Sequence, residues 1–313
     1  MEHIASVSRS SGLEKGGDTL KDFNVQEEYR DFLQGKMDEV LSKYPRRHLE
    51  SAKEASQRIN AQENVLILFR KLREGISSSQ RSDAFALEAY ETSLYLAAAF
   101  ESPRQSTSII PHLVPGLYLT SPAPHDNRTA TVLISLLHHL VTAYPSQGSY
   151  RQHFDTIPVD FLPRDGAPFT WITRLARSLR TQNYAVFEQL TSPSSISKVL
   201  GDEEDLAGAL KSLSISDGDR RATLARQALH GLVHSLRYKA RNTNWDIVRS
   251  AYREFSCDTE ETRAWLVRSL SLRSSVPYGR SIEAEQWLEE KATLGHARRK
   301  EGVPGRWMIY KPR

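Results

Sequence analysis

From residue 24 onward, apolar side chains recur three and four positions apart. Val25, Tyr29, Phe32, Leu33, Val40 and Leu41 line one face of a helix that Pro45 ends. A second helix is predicted over 49–76, with Ile59, Val65, Leu66, Leu68, Phe69 and Leu72 as its stripe, and the two should pack as a hairpin. A third, over 83–101, has Ser82 as N-cap, carries Phe85, Leu87, Tyr90, Leu94, Tyr95 and Ala98, and stops at Pro103. A short fourth is expected over 106–119. A fifth starts at Asn127 or Thr129 and runs through Val132, Leu133, Leu136, Leu137 and Leu140 to Pro145. Residues 1–22 lack periodic apolar positions and read as a disordered tail. Helices of this length joined by polar Pro/Ser turns predict an all-α, TPR-like helical-repeat or bundle layer over 23–165, although no fixed repeat period stands out.

Residues 146–168 are richer in Pro, Gly and Asp, which places a domain boundary near 165 and a second domain over 166–313. It opens with an amphipathic helix over 169–180. The turn Thr181-Gln182-Asn183 follows, then a short helix carrying Tyr184, Phe187 and Leu190. The acidic run 202–205 suits a helix start, where carboxylates complement the macrodipole. A strong helix is predicted over 220–241, with Leu224, Ala228, Leu232, Val233 and Leu236 on one face. Asn242 and Asn244 then mark a turn, and a separate helix carries Trp245, Ile247, Val248, Ala251 and Tyr252.

The last sixty residues change character. Asp258 or Thr259 can cap a helix bearing Trp265, Leu266, Val267 and Leu270. Residues 273–280 read as a loop, and Ser281 can cap a helix with Ala284, Trp287 and Leu288 that stops at Gly295. Two short strands over 297–300 and 306–310 flank Gly302-Val303-Pro304-Gly305. Helix, helix and terminal hairpin is the order of a winged helix. Trp265, Leu266, Leu270, Trp287 and Trp307 are then its core.

Composition fits a folded globular chain: 313 residues, 39% hydrophobic, 26% charged. No apolar run approaches the roughly 20 residues that cross a bilayer, and the start lacks a charged-then-apolar signal, so a nuclear or cytoplasmic, non-secreted protein is expected. The single cysteine, Cys257, cannot form an internal disulfide and fits a reducing compartment. The net charge of +4 is uneven: from Arg164 onward there are 25 Lys+Arg against 18 Asp+Glu, whereas the preceding residues hold 17 against 20. Such a bias favours an anionic partner for the C-terminal half.

Several segments of that half resemble a known family. Ser178-Leu179-Arg180-Thr181-Gln182-Asn183-Tyr184 with Phe187 and Leu190 is similar to a "helix, Asn-Tyr, Phe, Leu" step. Leu232 to Arg237 followed by Trp245-Asp246-Ile247-Val248-Arg249-Ser250-Ala251-Tyr252 is similar to a leucine-rich helix followed by an Ala-Tyr helix. Thr262-Arg263-Ala264-Trp265-Leu266 is similar to a helix that opens a winged helix. Together they resemble the PCI domain of the Sac/GANP family over about 140 residues, a helical layer ending in a winged helix. The resemblance implies a non-enzymatic scaffold in mRNA export or RNA processing, with a second PCI-domain subunit and a small acidic subunit as partners and RNA as a further ligand. A proteasome-lid, signalosome or initiation-factor subunit without nucleic-acid contact is the alternative.

No catalytic constellation is legible. There is no HExxH, phosphate-loop or GxSxG pattern, and Gly12, Gly16 and Gly17 lack the strand and helix of a phosphate cradle. His138 and His139 are adjacent, so on a helix they point about 100° apart and do not chelate one ion; one reads as a core-edge residue and the other as exposed. The carboxylate runs 203–205 and 289–290 read as solvated helix faces. No metal, cofactor, small-molecule substrate or membrane partner is expected. The candidate nucleic-acid contacts are basic: Arg263 and Arg268 on the predicted recognition helix, Arg273 after it, and Arg298, Arg299, Lys300, Arg306 and Lys311 on the hairpin.

Overall fold

The computed structural model describes residues 19–44, 50–122, 125–201, 217–275 and 281–312. Most of them are helical. In order, the elements are a 3-10 turn Thr19–Lys21, α1 Phe23–Lys43, α2 Ala52–Ser78, α3 Ala84–Ala99 and α4 Pro103–Pro111, then a π-helical turn His112–Leu117 and α5 Tyr118–Thr120. Next are α6 Arg128–Ala143, α7 Gly148–Thr156, α8 Ala167–Arg180, α9 Tyr184–Leu190, α10 Pro193–Leu200 and α11 Asp217–Ala251. The chain ends with β1 Glu254–Ser256, α12 Glu260–Ser269, α13 Ala284–Thr293, β2 Ala297–Arg299 and β3 Arg306–Ile309. Two compact units divide within α6, at Ser135/Leu136, and within α11, at Ala228/Leu229; the sequence reading had put a boundary near 165. Among the described residues no helix is long and apolar enough to cross a membrane.

In the first unit each of α1 to α4 packs on the next. α2 begins with a full capping box, in which Ser51 and Glu54 satisfy each other's backbone N–H groups. α3 is capped by Asp83, whose side chain accepts from the Ala86 N–H at 3.1 Å, and not by Ser82 as expected. Residues 19–22, expected to belong to a disordered tail, are ordered: Leu20 is 0% exposed and its carbonyl accepts from Gln26 Nε2 at 2.8 Å. Gly75 makes this possible, because a Cβ there would lie 2.5 Å from the Leu20 carbonyl oxygen. One apolar residue carries no period, so no local pattern signals the contact. The rest of that tail, the acidic run 202–205 and the loop positions 276–280 lie outside the described residues.

The second unit contains the larger corrections. The Pro/Gly-rich stretch after 145 holds α7, where Tyr150 and Phe154 stack one turn apart. The turn expected at Asn242 and Asn244 is absent, and α11 runs straight through. Asn244 is buried and donates to the Ser269 carbonyl, so its amide no longer competes with its own backbone, and Trp245 and Val248 continue the apolar face. α12 is capped by Thr259. α13 has Glu283, not Ser281, at its N-cap; Ser281 instead accepts from the Ser274 N–H at 3.1 Å.

The sheet has three strands where two were expected. Its order is β1-β3-β2, with both pairs antiparallel. Leu266, Leu270, Trp287 and Trp307 are buried in one core with Trp245, Phe255 and Cys257. Trp265 departs from the expectation: it is partly buried, packing its ring against Tyr252 at 5.3 Å and Phe255 at 5.8 Å at the edge of that core. A fully buried tryptophan loses about 3–5 kcal/mol on truncation. Half-buried Trp265→Ala should therefore cost about 2 kcal/mol in urea denaturation, and a loss as large as that for Trp307→Ala would show it to be a core residue after all.

Candidate nucleic-acid interface

The positions of the basic residues follow from strand register. Directly opposed residues of an antiparallel pair share a face, and neighbours along a strand alternate. Glu254, Met308 and Arg298 are in register across the three strands, as are Phe255, Trp307 and Arg299. Phe255 and Trp307 face the core, so Arg298, Met308 and Glu254 face outward. The next row brings Ser256 opposite Arg306, and the Lys300 N–H donates to the Arg306 carbonyl at 2.9 Å. The outer face thus gathers three of the expected cations, Arg298, Lys300 and Arg306, around one carboxylate.

That carboxylate, Glu254, was not anticipated. Lys300 Nζ donates to one oxygen at 3.0 Å and Arg306 Nη1 to the other at 3.0 Å. The Lys300 hydrogen bond, reinforced by Arg306, holds Glu254 below the usual carboxylate range. Three cations against one anion leave the face positive, with the Arg298 guanidinium facing the Met308 sulfur. The residue's role was hidden because β1 is three residues long and shows only one buried side chain, Phe255.

The remaining candidates are dispersed. Arg299 turns to the other side of the sheet, over the Trp307 ring at 5.0 Å and paired with Glu289 at 2.5 Å. Arg263 pairs with Glu260 at 3.0 Å and donates to the Cys257 carbonyl at 2.9 Å, closing the start of α12. Arg268 and Arg273 are exposed at and beyond the opposite end of α12, and Lys311 is exposed after β3. The hairpin run Arg298-Arg299-Lys300 is therefore not one contact surface, and α12 does not present its arginines as a set.

The same unit is held by a second group of basic residues that the sequence reading left out. Arg237, Arg241 and Asn244 sit at i, i+4 and i+7 on α11 and are buried. They donate to the carbonyls at the end of α12: Arg241 to Leu270 at 3.0 Å and Ser271 at 2.8 Å, Arg237 to Ser271 at 3.2 Å and Arg273 at 2.8 Å, and Asn244 to Ser269. These are the carbonyls that a helix end leaves without partners. Ser271, at φ 50, is held in the left-handed region that turns the chain there.

The histidines form a packed group. His138 is buried and His139 partly buried, so neither is the exposed residue expected; the His139 and His153 rings lie 4.6 Å apart. Burial pulls both His138 and His153 down to about 4, which keeps them neutral at physiological pH. Among the described residues no three His, Cys, Asp or Glu are arranged to hold a metal. Cys257 is buried, and burial pushes its thiol up to about 11, away from the reactive thiolate. No protein-family model, curated protein or solved structure matches the chain.

Proposed function

We propose that the chain is a non-enzymatic PCI-type adaptor in which TPR-like helices precede a C-terminal winged helix, and that it serves a nuclear or cytoplasmic RNA-processing or mRNA-export assembly. Its partners on this reading are a second PCI-domain subunit, a small acidic subunit and RNA. The observation that carries the reading is the order helix, strand, helix, helix, strand, strand from α11 to β3, closed into a β1-β3-β2 sheet. That is the connectivity of a winged helix, and the first strand was not needed to suggest it from sequence. The "Asn-Tyr, Phe, Leu" step adds support: Asn183 caps α9, and Tyr184, Phe187 and Leu190 are its buried apolar positions. The net positive outer face of the sheet supports the RNA limb.

A second reading, protein docking without RNA, is favoured by the ion pairs of Lys300, Arg306 and Arg299, which already occupy three of the candidate cations. One experiment separates the two. Arg298, Lys300 and Arg306 are replaced together by Ala, leaving Arg299 in place because its removal would strip Glu289 and Trp307 of their partner. On the RNA reading, affinity for single-stranded RNA falls and the log-log salt slope shrinks by about two, at roughly 0.7 per phosphate lost, with an unchanged far-ultraviolet spectrum. Unchanged affinity removes RNA from the proposal. Purification of the intact chain with its partners, with and without nuclease, tests the adaptor reading itself: loss of every bound protein on nuclease treatment would overturn it.

A further inference from the structure

In the first unit, Arg70, Arg73 and Ser77 of α2, Tyr90 of α3, Ser108 of α4 and His112 line a pocket of about 360 Å³. A second pocket of about 250 Å³ shares Ser77, Tyr90 and His112 and continues along Ile76, Gly116 and Leu117. The first is cationic and hydroxyl-bearing; the second mixes the apolar Ile76 and Leu117 with Gln80, Thr120 and Arg81, the last already paired with Glu27 and Asp83, and the two adjoin.

Arg73 is the unusual member. It is 6% exposed, and among the described residues no carboxylate lies within ion-pair distance of it. Other buried arginines are compensated: Arg81 meets Glu27 at 2.7 Å and Asp83 at 2.9 Å, and Arg241 meets the carbonyl end of a helix. Among the described residues the Arg73 side chain makes a single hydrogen bond, donated to neutral Gln105 at 3.0 Å, its Nε is buried without an acceptor, and its guanidinium lies 5.9 Å from the centre of the Tyr90 ring. Glu74, which also borders the pocket, pairs with Arg70 at 3.5 Å. Two guanidiniums therefore share one carboxylate. Burial draws Arg73 down to about 10, a shift that Glu74 only partly opposes and that neighbouring Arg70 reinforces. A buried cation with only a shared, more distant carboxylate is costly, and an arriving anion relieves it.

We infer that this cleft binds a phosphate monoester, with its phosphate at Arg70, Arg73 and the Ser77 hydroxyl and its organic group along Tyr90, Ile76 and Leu117. A doubly charged oxyanion with several acceptor oxygens matches two guanidiniums and a hydroxyl better than a monocarboxylate does. The apolar part of the adjoining pocket selects an ester over free phosphate. This runs against the expectation of no small-molecule ligand, and it is independent of the RNA reading, which concerns the other unit.

The test is calorimetric titration of the full chain with phenyl phosphate, inorganic phosphate and benzoate. Phenyl phosphate is expected to bind saturably and more tightly than inorganic phosphate, with benzoate weakest. Because Arg73 is buried and its replacement risks unfolding, the variants are the more accessible Arg70→Ala, expected to weaken binding about 10-fold or more, and Ser77→Asp, expected to abolish it by placing a carboxylate in the pocket. Absence of saturable phosphate binding, benzoate binding as tight as phenyl phosphate, or binding untouched by both variants each overturns the assignment.

Discussion

Arg237→Ala is expected to destabilise the second unit by about 3–5 kcal/mol, the range for removing one partner of a buried charge pair. Arg237 is 1% exposed in the middle of α11. Its two terminal nitrogens reach the Thr191 hydroxyl and carbonyl and the Ser271 and Arg273 carbonyls, with Glu188 at 3.9 Å as counter-ion. Burial lowers the guanidinium to about 10, and Glu188 opposes the shift. Truncation leaves Glu188 buried without its cation and removes a donor from the Thr191, Ser271 and Arg273 carbonyls, of which Ser271 keeps Arg241. All five tryptophans, at 171, 245, 265, 287 and 307, lie in the second unit. Tryptophan fluorescence in a urea titration therefore reports this unit, with the midpoint giving the loss at constant slope. An Arg237→Met, Glu188→Leu double variant should recover part of the stability by removing the stranded carboxylate, but not all, because the Thr191 and Arg273 carbonyls still lack the donor that Arg237 supplied. A loss below about 1 kcal/mol for Arg237→Ala would mean that Arg241 and Asn244 hold the α11–α12 junction without it.

The same residues show what the sequence makes legible. The leucine stripe of α11 is visible because burial repeats every three to four residues. Arg237, Arg241 and Asn244 continue the spacing, but as polar residues they carry no sign of burial, and Arg241 and Asn244 read as the helix end and the turn after it. Their burial is set by carbonyls some thirty positions away, at the end of α12, and no local pattern encodes such a partner. An i, i+4, i+7 polar set in line with an apolar stripe was the available signal. Strands were legible in proportion to their alternation. β3 buries Trp307 and Ile309 across one residue and was expected, whereas β1 buries Phe255 alone and was missed.

Charge was legible only as an inventory. The excess of Lys and Arg after Arg164 is real, yet which of them face outward depends on register. Arg298 and Lys300 flank Arg299 in sequence and oppose it in space. Glu254, far away along the chain, sits among them and decides how much of their charge remains for a ligand. Arg73 makes the same point in reverse: nothing in the sequence distinguishes it from the other charges of α2, and the fold buries it beside Tyr90.

In the first unit, Glu91→Ala is expected to cost about 3–5 kcal/mol, while Glu91→Gln should alter how stability depends on pH. Glu91 is 2% exposed on α3; its carboxylate accepts from the Tyr118 hydroxyl at 2.5 Å and from Arg221 at 3.4 Å. Tyr118 and Tyr95 both meet the Thr131 hydroxyl, at 2.9 and 2.6 Å, so removing the carboxylate disturbs a connected buried network. Burial raises the proton affinity of Glu91, against the opposing pull of the Tyr118 hydrogen bond and Arg221. The folded chain thus holds this proton more tightly than the unfolded one. The resulting stability is fully present below the unfolded carboxylate pKa of about 4.3 and is lost as pH rises through the higher folded value. Glutamine keeps an acceptor for Tyr118 and cannot ionise. The stability of Glu91→Gln relative to wild type should therefore climb between pH 4 and pH 8 in urea titrations followed by circular dichroism. A variant that instead loses ground as pH rises would show that Arg221 keeps the carboxylate ionised, with the ion pair outweighing burial.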